Sequence, residues 1–160
     1  MARMGTGVNV QDLQNWVQPL LALCRAAGEA ISQHYSAPAA GDYEEKHDDS
    51  PVTLADLASH DVLMSGLQAL DASIPVLSEE STPAEIAHRH DWRRFWLVDP
   101  LDGTKEFLGR TGEFTINIAL IDAHEPVLGI LYVPLEQVAY VGIPGLLARR
   151  YADAGDGRWS

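Results

Sequence analysis

Phe95-Trp96-Leu97-Val98-Asp99-Pro100-Leu101-Asp102-Gly103-Thr104 joins four apolar residues to a compact acidic segment. The first four have the length and side chains of a buried strand. That strand would deliver the Asp99 and Asp102 carboxylates at its C-terminal end. Pro100 fixes φ between the acids, and Gly103 lets an anion approach main-chain N–H groups. Two readings fit this pair taken alone. Proline followed by Asp-Gly is ordinary turn chemistry. Equally, Asp99, Asp102 and the Leu101 carbonyl offer the hard oxygen donors that magnesium takes, with room left for water and a phosphate oxygen.

The same arrangement recurs upstream. Ile74-Pro75-Val76-Leu77 reads as a short buried strand that ends at Ser78-Glu79-Glu80, although two glutamates at a strand end are more often simply solvated. Thr53 to Leu70 carries Leu54, Leu57, Ala58, Val62, Leu63, Leu67 and Leu70 at helical spacing, which predicts a helix with Asp56 in its first turn. There the simplest role for an acid is to offset the helix dipole. Each cluster has a bland explanation, but three acid clusters at the ends of apolar elements together favour a divalent-cation site.

Further outward, Val10 to Tyr35 repeats apolar residues every three or four positions, an amphipathic helix in which Pro19 either ends a short lead-in or makes a kink. Ser36 to Ser50 reads as a polar connection with room for one short strand, and Ser81 to Asp91 as a polar excursion with helical character. Phe114 to Asp122 and Pro126 to Val133 read as adjacent antiparallel strands around Ala123-His124-Glu125, and Gln137 to Val141 as one more strand. Helices first and strands later predict a mixed α/β or α+β layered fold. After Val141 the composition changes, with Gly142, Pro144, Gly145, Gly155 and Gly157 before Ser160. The expected organisation is therefore one α+β part over residues 10–141 and a truncated or divergent tail over 142–160, with apolar sheet edges left open.

Composition narrows the function. The 160 residues are 46% hydrophobic and carry 23 acidic against 11 basic side chains, for a net charge of −12. Such a chain can build a core, and it would repel a nucleic acid polymer. A small phosphorylated substrate is still admissible, because cations held by carboxylates reverse the local field. Cys24 is the one cysteine, which excludes an internal disulfide and a cysteine zinc cluster, agrees with a reducing cytosol and suits helix packing. Met1 to Asp12 lacks the pattern of a signal peptide and no stretch has the length to span a bilayer, so a cytoplasmic location is expected. His34, His47, His60, His88, His90 and His124 form no zinc-ligand spacing and are expected mostly at the surface. Neither a G-x-S-x-G elbow nor a Walker loop occurs.

The run Phe95 to Phe107, with Gly112-Glu113-Phe114-Thr115-Ile116-Asn117-Ile118-Ala119-Leu120-Ile121 behind it, closely resembles the 3′(2′),5′-bisphosphate nucleotidase branch of the inositol monophosphatase superfamily. Asp-Pro-Leu-Asp-Gly-Thr belongs to that lithium-sensitive superfamily as a whole, whereas Lys105-Glu106-Phe107 and the Gly-Glu-Phe-Thr-x-Asn pattern are similar to the nucleotidase branch. Ser50 to Asp56 and Pro75 to Glu80 match in order and spacing. The resemblance implies an α/β (α+β) layered sandwich of the inositol monophosphatase and sugar phosphatase type, incomplete at the C-terminus. It implies that Glu79, Asp99, Asp102 and the Leu101 carbonyl hold two or more magnesium ions. Gly103 and Thr104 would face the phosphate, and Asp56 and Thr104 would orient the attacking water, with Lys46 loosely matching a lysine near the metal site. The implied reaction is hydrolysis of adenosine 3′,5′-bisphosphate to AMP and phosphate in sulfate assimilation. A homo-oligomer and peripheral association with the inner membrane are compatible with it. The family's further aspartate, in a Trp-Asp-x-Ala-Ala segment, has no counterpart here, so the chain is expected to be a fragment. Alternatives are a related phosphatase with another substrate, a metal-binding remnant without activity, or a structural domain with solvated acids.

Overall fold

The computed structural model describes residues 7–35 and 51–160. Lys46 and the charged run around it lie outside them. Helix α1 spans Val10–Tyr35 and α2 spans Pro51–Leu70. Strands follow in the order β1 (Val76–Ser78), β2 (Arg94–Asp102), β3 (Thr115–Asp122), β4 (Glu125–Val133), β5 (Val138–Ile143) and β6 (Leu147–Ala152), with the short helix α3 (Thr104–Leu108) between β2 and β3. All six strands form one sheet in sequence order. β1 runs parallel to β2, and every later neighbour is antiparallel.

One face of the sheet packs on the helices. Ile116, Ile118 and Leu120 of β3, Leu128, Ile130 and Tyr132 of β4, and Ala139, Val141 and Ile143 of β5 are buried, as are Leu20, Leu21, Cys24, Ala27 and Ile31 of α1. This is the two-layer solution for an amphipathic helix pair and a sheet with one apolar face. Trp96 is fully buried in this layer, with its ring centroid 5.7 Å from that of Trp16. Gly28 lets α1 approach β4 closely: a Cβ there would stand 2.8 Å from Tyr132 Cε1 and 3.2 Å from Pro134 Cβ.

Pro19 lies inside a continuous α1 rather than ending a shorter helix; it is exposed, where its ring meets water instead of the core. Residues 81–91 hold only a single 3₁₀ turn, Arg89–Asp91, as regular structure. Thr82 and Glu85 cap each other locally, Glu85 Oε2 accepting the Thr82 N–H at 2.6 Å and Thr82 Oγ1 accepting the Glu85 N–H at 3.3 Å.

β6 was not expected from the sequence. Leu147–Ala152 pairs with Val138–Ile143 along its whole length, while Arg149 and Arg150 are exposed, the charged edge that discourages pairing with another sheet. The chain then turns back to α1. The Arg25 guanidinium lies 3.0 Å from the Asp153 carboxylate and donates to the Gly155 carbonyl at 3.1 Å. Asp153 Oδ1 accepts the Gly155 and Gly157 N–H groups at 2.9 and 3.0 Å.

The opposite face of the sheet has no helix on it among the described residues. Leu97, Leu131 and Tyr140 are 45%, 40% and 49% exposed there. They line a concavity of about 590 Å³ together with Asp99, Asn117 and Glu79.

Candidate functional site

The acidic segment is a distorted strand, not a turn beyond one. β2 continues to Asp102, but its register with β3 shifts between Asp99, opposite Asn117, and Asp102, opposite Thr115. Pro100 has no N–H for the ladder, so regular pairing must lapse there and the strand bulges. The bulge leaves Asp99 half-buried and Asp102 exposed, while Pro100 and Leu101 are buried. The Leu101 N–H donates to Asp99 Oδ1 at 3.2 Å. Asn117 Nδ2 donates to Asp102 Oδ2 at 3.3 Å and to Thr115 Oγ1 at 3.2 Å.

Parallel pairing brings the second cluster in. Ser78 sits opposite Val98, so the next residues in line on the two strands are Glu79 and Asp99. Asp56 arrives from α2. Because α2 begins at Pro51, Asp56 lies in the second helical turn and no acid occupies the first. The dipole-compensating explanation therefore loses its footing, since that effect fades beyond the first turn. Asp56 is 4% exposed, which is uncommon for an acid.

The electrostatic result falls on Asp99. Burial first, and then the negative charges of Glu79, Asp102 and Asp56, push its carboxyl up from the ordinary 3.8 to about 6, against the opposing Leu101 N–H bond. Four acids from three elements thus share one field. Among the described residues no three His, Cys, Asp or Glu side chains already close around one point as a finished ligand set. Magnesium does not require one, since it keeps water and takes substrate oxygens. The donor chemistry fits: hard oxygens only, mutually repelling, in a half-buried setting that a divalent cation would relieve.

Gly103 follows with φ of 97°, a value that favours glycine. A Cβ there would be 3.0 Å from Glu106 Oε2 and 3.3 Å from Phe114 Cα. Gly103 precedes α3, and Thr104 opens that helix in an exposed position. Phe107 anchors α3 against Phe114, their centroids 5.4 Å apart.

Two residues near the acids carried no weight in the sequence. His60, expected at the surface with the other histidines, is 8% exposed, and its Nδ1 lies 2.9 Å from Ser78 Oγ. Ser59 is fully buried and donates to the Pro100 carbonyl at 2.7 Å. The available signal was helical spacing: 59 and 60 lie three and four positions after Asp56, on the same face.

Residues 12–151 match the Inositol monophosphatase family, and the chain belongs to that family. It is 54% identical, over 123 residues, to the 3′(2′),5′-bisphosphate nucleotidase CysQ of Salmonella typhimurium, a match covering 77% of this chain and 50% of that protein. The crystal structure of CysQ from Bacteroides thetaiotaomicron superposes with a TM-score of 0.76 at 39% identity, over 91% of this chain and 51% of the other. The 2′AMP-bound structure of SaIMPase-II superposes with a TM-score of 0.66 at 27% identity, over 86% and 47% of the two chains. The chain spans about half the length of the curated relatives it matches.

Proposed function

We propose that the chain carries the metal- and phosphate-binding half of a magnesium-dependent phosphatase that hydrolyses adenosine 3′,5′-bisphosphate to AMP and phosphate. The observation that carries this reading is the half-buried Asp99, crowded by the carboxylates of Glu79, Asp102 and Asp56 and pushed up by burial first and by those charges second. Likeness to nucleotidases selects the substrate, and a relative that binds 2′AMP supports a nucleotide ligand.

In this reading Glu79, Asp99, Asp102 and the Leu101 carbonyl hold two or more magnesium ions. When bound, magnesium would supply positive charge to the phosphate and acidify water. Gly103 and Thr104 face the phosphate, the glycine because no side chain obstructs its approach. Asp56 and Thr104 orient the water: its oxygen forms a bond to phosphorus, the bond from phosphorus to the ribose oxygen breaks, and that oxygen leaves with a proton as the hydroxyl of AMP. The net charge of −12 disfavours a polymeric phosphate partner, and likeness to nucleotidases supports a small nucleotide as the ligand. No helix among the described residues is long and apolar enough to cross a membrane.

The test is phosphate release from adenosine 3′,5′-bisphosphate, with magnesium and with chelator, by this chain and by a form extended to the length of its relatives. Magnesium-dependent release by either form supports the reading. Release from other phosphate monoesters alone would move the assignment to a different substrate, and magnesium binding without release by either form would leave a metal-binding remnant.

A further inference from the structure

One turn of α2 touches both acid-bearing segments. Ser59 donates to the Pro100 carbonyl at 2.7 Å, inside the β2 bulge. His60 Nδ1 lies 2.9 Å from Ser78 Oγ, and the same Oγ accepts the Glu80 N–H at 3.3 Å. With that N–H on one side of the oxygen, the Ser78 hydroxyl proton can go to Nδ1. The turn itself is closed by the Ser81 N–H to the Ser78 carbonyl at 3.0 Å and the Ser78 N–H to Ser81 Oγ at 3.1 Å. Ser59, His60 and Ser78 are 0%, 8% and 5% exposed, so water does not compete for these bonds, and polar groups buried this way need partners within the protein.

We infer that Ser59 and His60 are positioning residues: they brace the Asp99 to Asp102 bulge and the Ser78 to Ser81 turn against α2, and so fix Glu79 relative to Asp99. The inference rests on the metal-site reading above. Neither side chain touches the metal or the substrate. The brace acts as outer hydrogen bonds do at metal sites, by holding ligands that would otherwise move apart under their own repulsion. It also explains why two consecutive polar residues of α2 stand buried beside Asp56.

The experiment uses this chain and magnesium alone, with two readouts: amide hydrogen exchange in chelator and magnesium affinity by calorimetric titration. In His60→Ala and Ser78→Ala the Glu80 amide should exchange about tenfold faster while the Ile118 and Ile130 amides keep their rates, and the magnesium Kd should rise about tenfold. His60→Asn, which places an amide where Nδ1 stood, should bring both readouts back to within about threefold of the unmutated chain. Unchanged exchange at Glu80, or equal acceleration at Ile118 and Ile130, would overturn the brace. A loosened turn with unchanged Kd would overturn its positioning role. If the unmutated chain binds magnesium, Asp99→Asn abolishes that binding and His60→Ala does not weaken it, this inference alone falls. If the unmutated chain binds no magnesium, the metal-site reading falls and takes the positioning role with it.

Discussion

Asp99 concentrates the tension of the site in one side chain. Its carboxyl is raised to about 6 by burial and by Glu79, Asp102 and Asp56, whereas in the unfolded chain it titrates near its ordinary value. Between those two pH values the folded chain binds more protons than the unfolded one, so stability falls as pH rises from about 4 to about 6. With chelator present, the thermal midpoint should therefore decline across that window, and Asp99→Asn should flatten this part of the slope. At neutral pH the variant should be the more stable, by on the order of 1 kcal/mol once solvent screening of a half-exposed group is allowed for. Magnesium should raise the midpoint of the unmutated chain and leave that of the variant unmoved. A steeper decline in the variant would contradict the electrostatic account. Asp99 and Asp102 were legible because Pro100 and Gly103 mark their surroundings in the sequence. His60 and Ser59 were not, because a polar residue on a helix declares its burial only through what another element brings to it, here Ser78 and Pro100.

At the scale of elements, α1, α2 and the central strands followed from periodicity, α3 was not expected, and the other exceptions have separate causes. α2 starts two residues before the expected Thr53, which moved Asp56 out of the first turn and removed its simplest explanation. β2 extends past Val98 because an irregular pairing can tolerate proline where a regular ladder cannot. β6 escaped notice because Ala148, Arg149 and Arg150 show no alternation of apolar and polar residues; an edge strand needs little of it. The close seat of α1 on β4 yields a prediction. Gly28→Val would drive its side chain into Tyr132 and Pro134, already within 2.8 and 3.2 Å of a bare Cβ. Overpacking of this kind should lower stability by about 1–3 kcal/mol, read as a lower urea midpoint with the slope unchanged.

For the molecule as a whole, the two sides of the sheet are unlike. One is sealed by α1 and α2, and the other presents Leu97, Leu131 and Tyr140. Such a face should bind a hydrophobic dye such as anilinonaphthalene sulfonate in the folded state. Leu131→Lys should reduce that fluorescence by at least about half while changing stability by no more than about 0.5 kcal/mol, as expected for a surface position. Equal fluorescence in the variant would place the dye elsewhere.

Cys24 lies at the opposite extreme, fully enclosed between the helices and the sheet, its thiol pushed up to about 12 by burial. As the chain has no other cysteine, alkylation reads out a single atom, and that atom reacts only when the molecule opens around it. The chain thus contains its own clock. Iodoacetamide should label it slowly in chelator and more slowly again with magnesium, by the factor through which the ion reduces the open population. Ligands that slow the clock can be ranked without waiting for a product.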